Sequence, residues 1–279
     1  MRLLTISTIL LFIGYSPILA QTFTGESWKQ VKSKGSGSLS AIYYSTPGLV
    51  FEENGQMKGV CIDIMEEFKK HVKQAHGVTL DFKFLKKEQV FSNFINSIKT
   101  AENVMGVCNT SITEERKKYL SFSPSYMNNP SVLLSNNEAR GIKNLEEMPK
   151  AFADYTIVVI KGSTHEKYLE KIKKQYYPEL KVELVTSGNE VNKRLGSKAN
   201  YVTLIDFTEY YDAVKKNLNV KRHIVPLNEL EDQLGFIFPK NSDWVTVWNE
   251  FLTPEFKSSI VYKKIVADNL GTSFVNLIK

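Results

Sequence analysis

Short apolar runs, each about as long as one β-strand, recur along the chain between segments of helical periodicity. The runs VMGVC (104–108), YTIVVI (155–160) and YVTLI (201–205) carry no charged side chain. Strands that are apolar on both faces are typical of parallel sheets covered by helices on both sides. Alternation of such strands with helices predicts an α/β fold.

The first half of the chain predicts the order β-α-β-α-β. Strands are expected at LSAIYYS (39–45), at TLDFKFL (79–85), where apolar residues alternate, and at VMGVC. Helices are expected at 62–77 and 88–100, where apolar residues recur at helical spacing.

The pattern then repeats, which predicts a second α/β lobe. Apolar strands are expected at 155–162 and 201–206. A third strand is expected at 180–186, and three helices are expected at 163–177, 189–196 and 207–217.

Polar segments near 133–141 and 225–232 interrupt strand-like runs and are expected to link the lobes. If the chain crosses between the lobes twice, its C-terminal segment belongs to the first lobe. The expected division is therefore a signal peptide (1–20), lobe 1 (21–134 plus 232–279) and lobe 2 (138–228).

The N-terminal segment MRLLTISTILLFIGYSPILA has the order of a secretory signal. Arg2 supplies a positive charge, an apolar stretch follows, and small Ala20 ends it. We expect cleavage after Ala20 and export to the periplasm.

Composition narrows the possible partners and cofactors. Charged residues make up 24% of the 279 residues, and the net charge of +6 is spread over runs that mix Lys with Glu. Such runs are typical of solvated helix faces, so no nucleic-acid partner is expected.

The four His fall at no metal-binding spacing and share no motif with the two Cys, so neither a metal nor another cofactor is expected. Cys61 and Cys108 can pair, but two buried thiols are the favoured interpretation.

One polar cluster follows the VMGVC strand. Ser111, Thr113 and Arg116 stand where the strand ends and a short helix begins. Helix N-termini bind anions through unsatisfied N–H groups, and an arginine can grip a carboxylate with two parallel hydrogen bonds. The alternative is an ordinary helix start, capped by Thr113, with Arg116 on its surface.

Two more strands, both in the second half of the chain, end in polar residues. Gly162, Ser163 and Thr164 offer hydroxyl and N–H groups after the 155–162 strand, and Asp206 ends the 201–206 strand. Asp206 can pair with a cation, or it can simply cap the helix that follows.

The order of several segments along the chain resembles that of a known protein family. GVCIDIMEEF, NTSITEERKKYLSFSPSYMNNPSVLL, VVIKGSTHEKYL, YVTLIDFTEYY and LGFIFPKNSDW resemble the polar amino acid-binding family of ABC-transporter solute-binding proteins. The resemblance spans nearly the whole mature chain and implies a Venus-flytrap fold, in which two lobes close on a ligand. It also implies delivery of an amino acid to an inner-membrane ABC permease by a monomer without catalytic residues.

Site roles follow from the resemblance, one residue at a time. Arg116 is similar to the arginine that holds the ligand α-carboxylate, with Ser111 and Asn109 beside it. Thr164 is similar to the second-lobe residue that meets the same carboxylate, and Asp206 to the acid that pairs with the α-ammonium.

The first loop departs from the family. Tyr44 and Ser45 stand near the position that reads the ligand side chain, and no acid is present there. A ligand with a cationic side chain is therefore disfavoured. Two alternatives stay open: a periplasmic enzyme similar to cyclohexadienyl dehydratases, with Asp206 or Glu209 as the acid, and a ligand-sensing module.

Overall fold

The computed structural model describes residues 22–136, 138–227 and 231–272. The expected signal peptide lies outside these residues. Thirteen strands occur in the described ranges: β1 (Ser36–Tyr44), β2 (Phe51–Glu53), β3 (Gln56–Lys58), β4 (Thr79–Glu88), β5 (Val104–Val107), β6 (Leu120–Phe122), β7 (Met127–Asn136), β8 (Thr156–Ile160), β9 (Lys181–Val185), β10 (Tyr201–Asp206), β11 (Val220–His223), β12 (Glu231–Leu234) and β13 (Ile237–Pro239).

The same ranges contain eleven α-helices and a 3₁₀ turn at Leu145–Glu147. The helices are α1 (Trp28–Lys34), α2 (Val60–His76), α3 (Phe91–Lys99), α4 (Glu114–Lys117), α5 (Met148–Ala151), α6 (Thr164–Tyr176), α7 (Gly188–Leu195), α8 (Phe207–Lys215), α9 (Trp244–Phe251), α10 (Pro254–Ser258) and α11 (Ile260–Leu270). None of them combines the length and apolar character needed to cross a bilayer.

Two separate sheets give the molecule its two lobes. The first has the strand order β4-β1-β5-β13-β6, with β1 parallel to β4 and β5. The second has the order β11-β7-β10-β8-β9, with β8, β9 and β10 parallel. The predicted repeat of an α/β unit is confirmed, and the fold is the two-lobed α/β fold.

Helix α2 shows why the expected helices form where they do. Its buried residues include Ile64, Phe68 and Val72, and Gly77 ends it in the left-handed conformation that glycine adopts without steric cost. Phe68 is fully buried and stacks on Trp248 of α9, with ring centroids 4.0 Å apart. Burial of a phenylalanine side chain contributes about 1.5–3 kcal/mol, so this periodic face anchors α2 to the last part of lobe 1.

Two antiparallel strands run between the lobes. Residues 127–130 of β7 pair with β12, and residues 131–136 of the same strand pair with β10 and β11 in the second sheet. Strand β7 therefore passes from the crossing into the second lobe without a break, because its backbone is paired along its whole length. The linkers expected near 133–141 and 225–232 overlap the lobe 2 end of β7 and the start of β12, respectively. The division at those residues stays a prediction.

Both cysteines are fully buried, free thiols. Burial raises the pKa of Cys61 to about 12 and raises that of Cys108 further. Cys108 lies directly after β5, where its thiol donates to the Asn109 side-chain oxygen at 2.9 Å.

Candidate functional site

Arg116 is presented to the cleft by a single helical turn. The Thr113 hydroxyl accepts from the Arg116 backbone N–H, so Thr113 is the N-cap of α4, as the alternative interpretation of this segment held. The Arg116 side chain is nevertheless buried, not on the helix surface. Its Nη1 donates to the Ser111 carbonyl oxygen at 3.0 Å, and its Nη2 donates to the Gly162 carbonyl oxygen of the other lobe at 3.2 Å.

No carboxylate of the described residues lies within ion-pair distance of this guanidinium. It rests over the Phe91 ring, 5.5 Å from the centroid, and its two contacts are neutral carbonyl groups. Burial lowers the pKa of Arg116 below its ordinary value, because the charged form has lost water. The cation is thus held, but not neutralised, at the cleft.

Asp206 is the corresponding acid of the second lobe, and only 13% of its side chain is exposed. It occupies the N-cap position of α8 but makes no side-chain capping hydrogen bond, so the capping interpretation is wrong. Its carboxylate accepts from the side-chain amides of Asn109 at 2.6 Å and Asn129 at 2.5 Å. Of the bases in the described ranges, only His165 lies within 4 Å, with its Nε2 3.5 Å from Oδ1. Burial raises the pKa of the Asp206 carboxyl.

Arg116 and Asp206 line the same small cavity between the lobes, with a volume of about 20 Å³. That is room for about one water molecule, and no amino acid fits in it. The other lining residues are Tyr44, Phe91, Asn109, Ser111, Ile160, Ser163, Thr164, His165 and Glu209. Six of the seven residues that the sequence predicted for the site therefore meet here.

The seventh, Ser45, lies apart from this cavity. It is partly exposed and lines a neighbouring space of about 100 Å³, together with Tyr44, Lys87, Glu88 and Asp212. Tyr44 is buried, and its hydroxyl accepts from the Gly188 backbone N–H of lobe 2 at 3.3 Å. Tyr44 therefore lines both spaces, whereas Ser45 lines only the outer one.

Asn109 and Ser111 act through different atoms. The Asn109 amide donates to Asp206, and its oxygen accepts from the Thr46 hydroxyl at 3.1 Å, so the side chain is oriented at both ends. Ser111 contacts Arg116 through its main-chain carbonyl group, and the sequence pointed instead to its hydroxyl. The backbone at Ser111 is also held by an antiparallel bridge to Leu234.

Sequence reasoning missed Asp232, on the crossing strand β12. Its carboxylate accepts from the Thr164 hydroxyl at 2.7 Å and from the Tyr168 hydroxyl at 2.8 Å. Both donors belong to α6 of lobe 2, so Asp232 ties that helix to the crossing. No local sequence signal marks an isolated aspartate in a polar linker as a partner of a helix that lies far away in the chain.

From the sequence, Glu209 is a candidate only for the acid of the enzyme alternative. It follows Asp206 by three residues and lines the central cavity beside it. Its side chain is buried and lies 2.7 Å from the Thr208 hydroxyl. Burial, with the negative charge of Asp206 second, raises the pKa of Glu209 to about 8. The spacing could have found it, since positions three apart on a helix share a face.

Further contacts hold the lobes together around the cavity. The Phe91 N–H donates to the Thr186 carbonyl oxygen at 3.4 Å, and Lys167 forms an ion pair with Glu115. A larger space of about 340 Å³ opens at the mouth of the cleft next to Arg116. Its lining includes Phe91, Ile95, Tyr119, Lys167 and Tyr168. The structure is therefore a closed form with an aromatic, partly charged vestibule.

Residues 40–267 match the family model of bacterial extracellular solute-binding proteins, family 3. The chain belongs to this family. Apart from the first four residues of β1, the match covers both sheets, both crossing strands and every residue that lines the central cavity.

Solved structures support the family 3 fold. An ancestral arginine-binding protein bound to arginine is 25% identical, with a TM-score of 0.66 over 84% of this chain and 98% of that one. The substrate-binding protein of an amino acid ABC transporter is 21% identical, with a TM-score of 0.66 over 84% and 99%. An ancestral amino acid-binding protein that is a precursor of cyclohexadienyl dehydratase is 21% identical, with a TM-score of 0.66 over 87% and 98%. The last two are similar in fold alone.

Proposed function

We propose that this family 3 protein is exported to the periplasm, binds a zwitterionic amino acid between its lobes and delivers it to an inner-membrane ABC permease. Arg116 and the N–H groups at the start of α6 hold the ligand carboxylate. Asp206 holds the ammonium. Thr164, Ser111 and Asn109 complete the polar shell, with Tyr44 beside it.

One observation carries this proposal. A buried guanidinium and a largely buried carboxylate face one cavity from opposite lobes. In the described ranges the guanidinium contacts no acidic side chain, and the only basic side chain within 4 Å of the carboxylate is His165, at 3.5 Å. Buried charges are ordinarily paired, because isolating one from water costs several kcal/mol. An amino acid brings a carboxylate and an ammonium group, and so compensates both charges at once.

Ligand capture requires the lobes to separate and close again. The closed cavity of about 20 Å³ admits no amino acid, so the Asn109–Asp206 and Arg116–Gly162 contacts must open first. In the liganded form the ammonium takes the place of the Asn109 amide, and the carboxylate takes unused donors of Arg116. Only the closed form makes both sets of contacts, so the ligand shifts the equilibrium toward closure.

A thermal-shift screen of the purified mature chain against all amino acids tests the proposal. A ligand at 100 times its dissociation constant stabilises a protein by about 2.7 kcal/mol. In this screen we expect a rise in melting temperature with at least one amino acid. In a separate experiment on cells, we expect uptake of that amino acid to be lost when the permease is deleted. No shift with any amino acid would contradict the proposal.

A second candidate is acid catalysis of the dehydratase type, and Glu209 favours it. With a pKa of about 8, this carboxyl is largely protonated at neutral pH and lies at the cavity beside Asp206. A protonated acid can donate to a leaving hydroxyl group. Incubation with prephenate or arogenate decides this point: aromatic product that disappears in Glu209→Gln supports catalysis, and no product supports binding alone.

A further inference from the structure

A second polar cluster lies on the outer helices of lobe 1, among residues that do not line the cleft. His71 and His76 stand in the last turns of α2, and Glu250 stands in α9. One ligand-capable atom from each lies within 4.8 Å of the other two. The His76 Nε2 and Glu250 Oε2 atoms are 2.8 Å apart.

His71 carries the decisive feature. Its Nε2 is buried and has no hydrogen-bond partner in the described structure. Buried side-chain polar atoms nearly always have a partner, so an orphaned imidazole nitrogen next to a His–Glu pair calls for a ligand. A cation bound by all three side chains would satisfy that nitrogen and the Glu250 charge together.

Aromatic packing positions the two imidazoles. The His76 ring meets Trp28 edge to face, with centroids 5.0 Å apart, and the His71 ring lies 5.5 Å from Phe251. The two His rings are themselves 6.3 Å apart. Rings that are packed in this way lose little further freedom on binding an ion, which favours binding.

The charge around the cluster and its access to solvent also suit the binding of a cation. Side-chain exposure falls from 45% for Glu250 to 14% for His76, so an ion can reach the cluster from solvent and keep water as a further ligand. The C-terminus of α2 adds a partial negative charge. The nearby cations are otherwise engaged, since Lys73 donates to Gly77 and Thr79, and Lys32 lies over the Trp28 ring.

We propose that His71, His76 and Glu250 form a site for a divalent transition-metal ion, with Zn²⁺ as the best fit. Two imidazoles and a carboxylate are a zinc-type donor set. Metal–ligand bonds of about 2.1 Å in a tetrahedron place ligand atoms about 3.4 Å apart. Separations of up to 4.8 Å must therefore shrink by up to about 1.4 Å, and the 2.8 Å separation of His76 and Glu250 must widen by about 0.6 Å. Small side-chain rotations supply both changes. The ion would tie α2 to α9, two helices that lie far apart in the chain.

Titration calorimetry of the tag-free, EDTA-stripped chain with zinc chloride tests this site. We expect one ion per chain, an accompanying change in the emission of Trp28, and no comparable binding of Ca²⁺, which prefers oxygen ligands. His71→Gln and Glu250→Gln should each weaken zinc binding by more than about 100-fold, because even groups that only orient metal ligands cost 10–100-fold.

Glu66→Gln is the matched control. Glu66 is a comparably exposed carboxylate of α2, paired with Lys69, and its substitution should leave zinc affinity unchanged. Glu250 is exposed, so its variant folds even if His71→Gln does not. Absence of one-to-one zinc binding, or wild-type affinity in Glu250→Gln, would overturn the proposal and leave the cluster a simple His76–Glu250 hydrogen bond.

Discussion

Replacement of Arg116 by methionine should separate the energetics of binding from those of folding. Methionine keeps much of the side-chain volume and removes the charge. If Arg116 holds the ligand carboxylate, affinity must fall steeply. If its charge is uncompensated in the unliganded protein, as the two carbonyl contacts indicate, stability should change little.

The expected loss of affinity follows from the buried position of the guanidinium. Truncation of one partner of a buried, hydrogen-bonded charge pair costs about 2–5 kcal/mol. That is a weakening of about 30-fold to several thousand-fold. The upper end applies if the ligand carboxylate is left buried without a donor, and the lower end applies if the N-terminus of α6 still holds it.

The expected change in stability is small because two opposing free energies offset each other. Two hydrogen bonds from a charged donor are lost, each worth about 1.5–3 kcal/mol. Against this, the variant no longer buries a cation, whose removal from water costs several kcal/mol. The loss and the gain nearly cancel, so the free energy of unfolding of the unliganded protein should stay close to that of wild type.

Calorimetric titration with the best ligand of the amino acid screen, combined with urea unfolding, makes both measurements. Arg194→Met is the control, since Arg194 also binds through its guanidinium, but to Glu183 on the surface of lobe 2. It should bind ligand as wild type does. Wild-type affinity in Arg116→Met would refute the assignment of the carboxylate site, and a large loss of unliganded stability would show that Arg116 is a structural residue.

Three further predictions concern stability. Because folding raises the pKa of Glu209 from an ordinary 4.5 to about 8, the folded state binds more protons in this window. Stability should therefore fall as pH rises from about 4.5 to about 8, and Glu209→Gln should flatten that slope in urea titrations. Gly59→Ala should cost at least about 1–3 kcal/mol, because Gly59 has φ +116 and an added Cβ would lie 2.3 Å from a backbone oxygen. Gly55→Ala, where an added Cβ meets nothing within 4 Å, should cost less in the same unfolding assay. Tyr168→Phe removes a hydrogen bond to Asp232 and should lower the free energy of unfolding by about 1.5–3 kcal/mol, as thermal unfolding will measure.

Local patterns predicted the elements well. The helix expected at 62–77 is α2 at Val60–His76, and the strand expected at 201–206 is β10 at Tyr201–Asp206. Both succeed because burial of a periodic face is a local property of the sequence. Residues 46–59, which follow β1, contain a small hairpin, β2–β3, that the sequence does not predict, since its strands have three residues each.

The sequence also does not predict the long strand β7. It continues through residues 127–136, although polar Asn128, Asn129 and Asn136 lie within it. Its pairing partners β10, β11 and β12 come at least 65 residues later, since β10 starts at 201 and β7 ends at 136. A strand that owes its length to such distant partners leaves little trace in its own residues.

The sequence by itself determined the α/β class, the doubled unit and the positions of the charged site residues, because each depends on short-range periodicity or on the point where a strand meets a helix. Only the tertiary structure decided which groups meet. It placed Arg116 and Asp206 at one cavity, turned Ser111 so that its carbonyl oxygen faces the guanidinium, set Asp232 against α6, and brought Glu250 to His71 and His76. The physical reason is that contacts between distant segments depend on how the sheets and helices pack, and residue spacing along the chain does not contain that information.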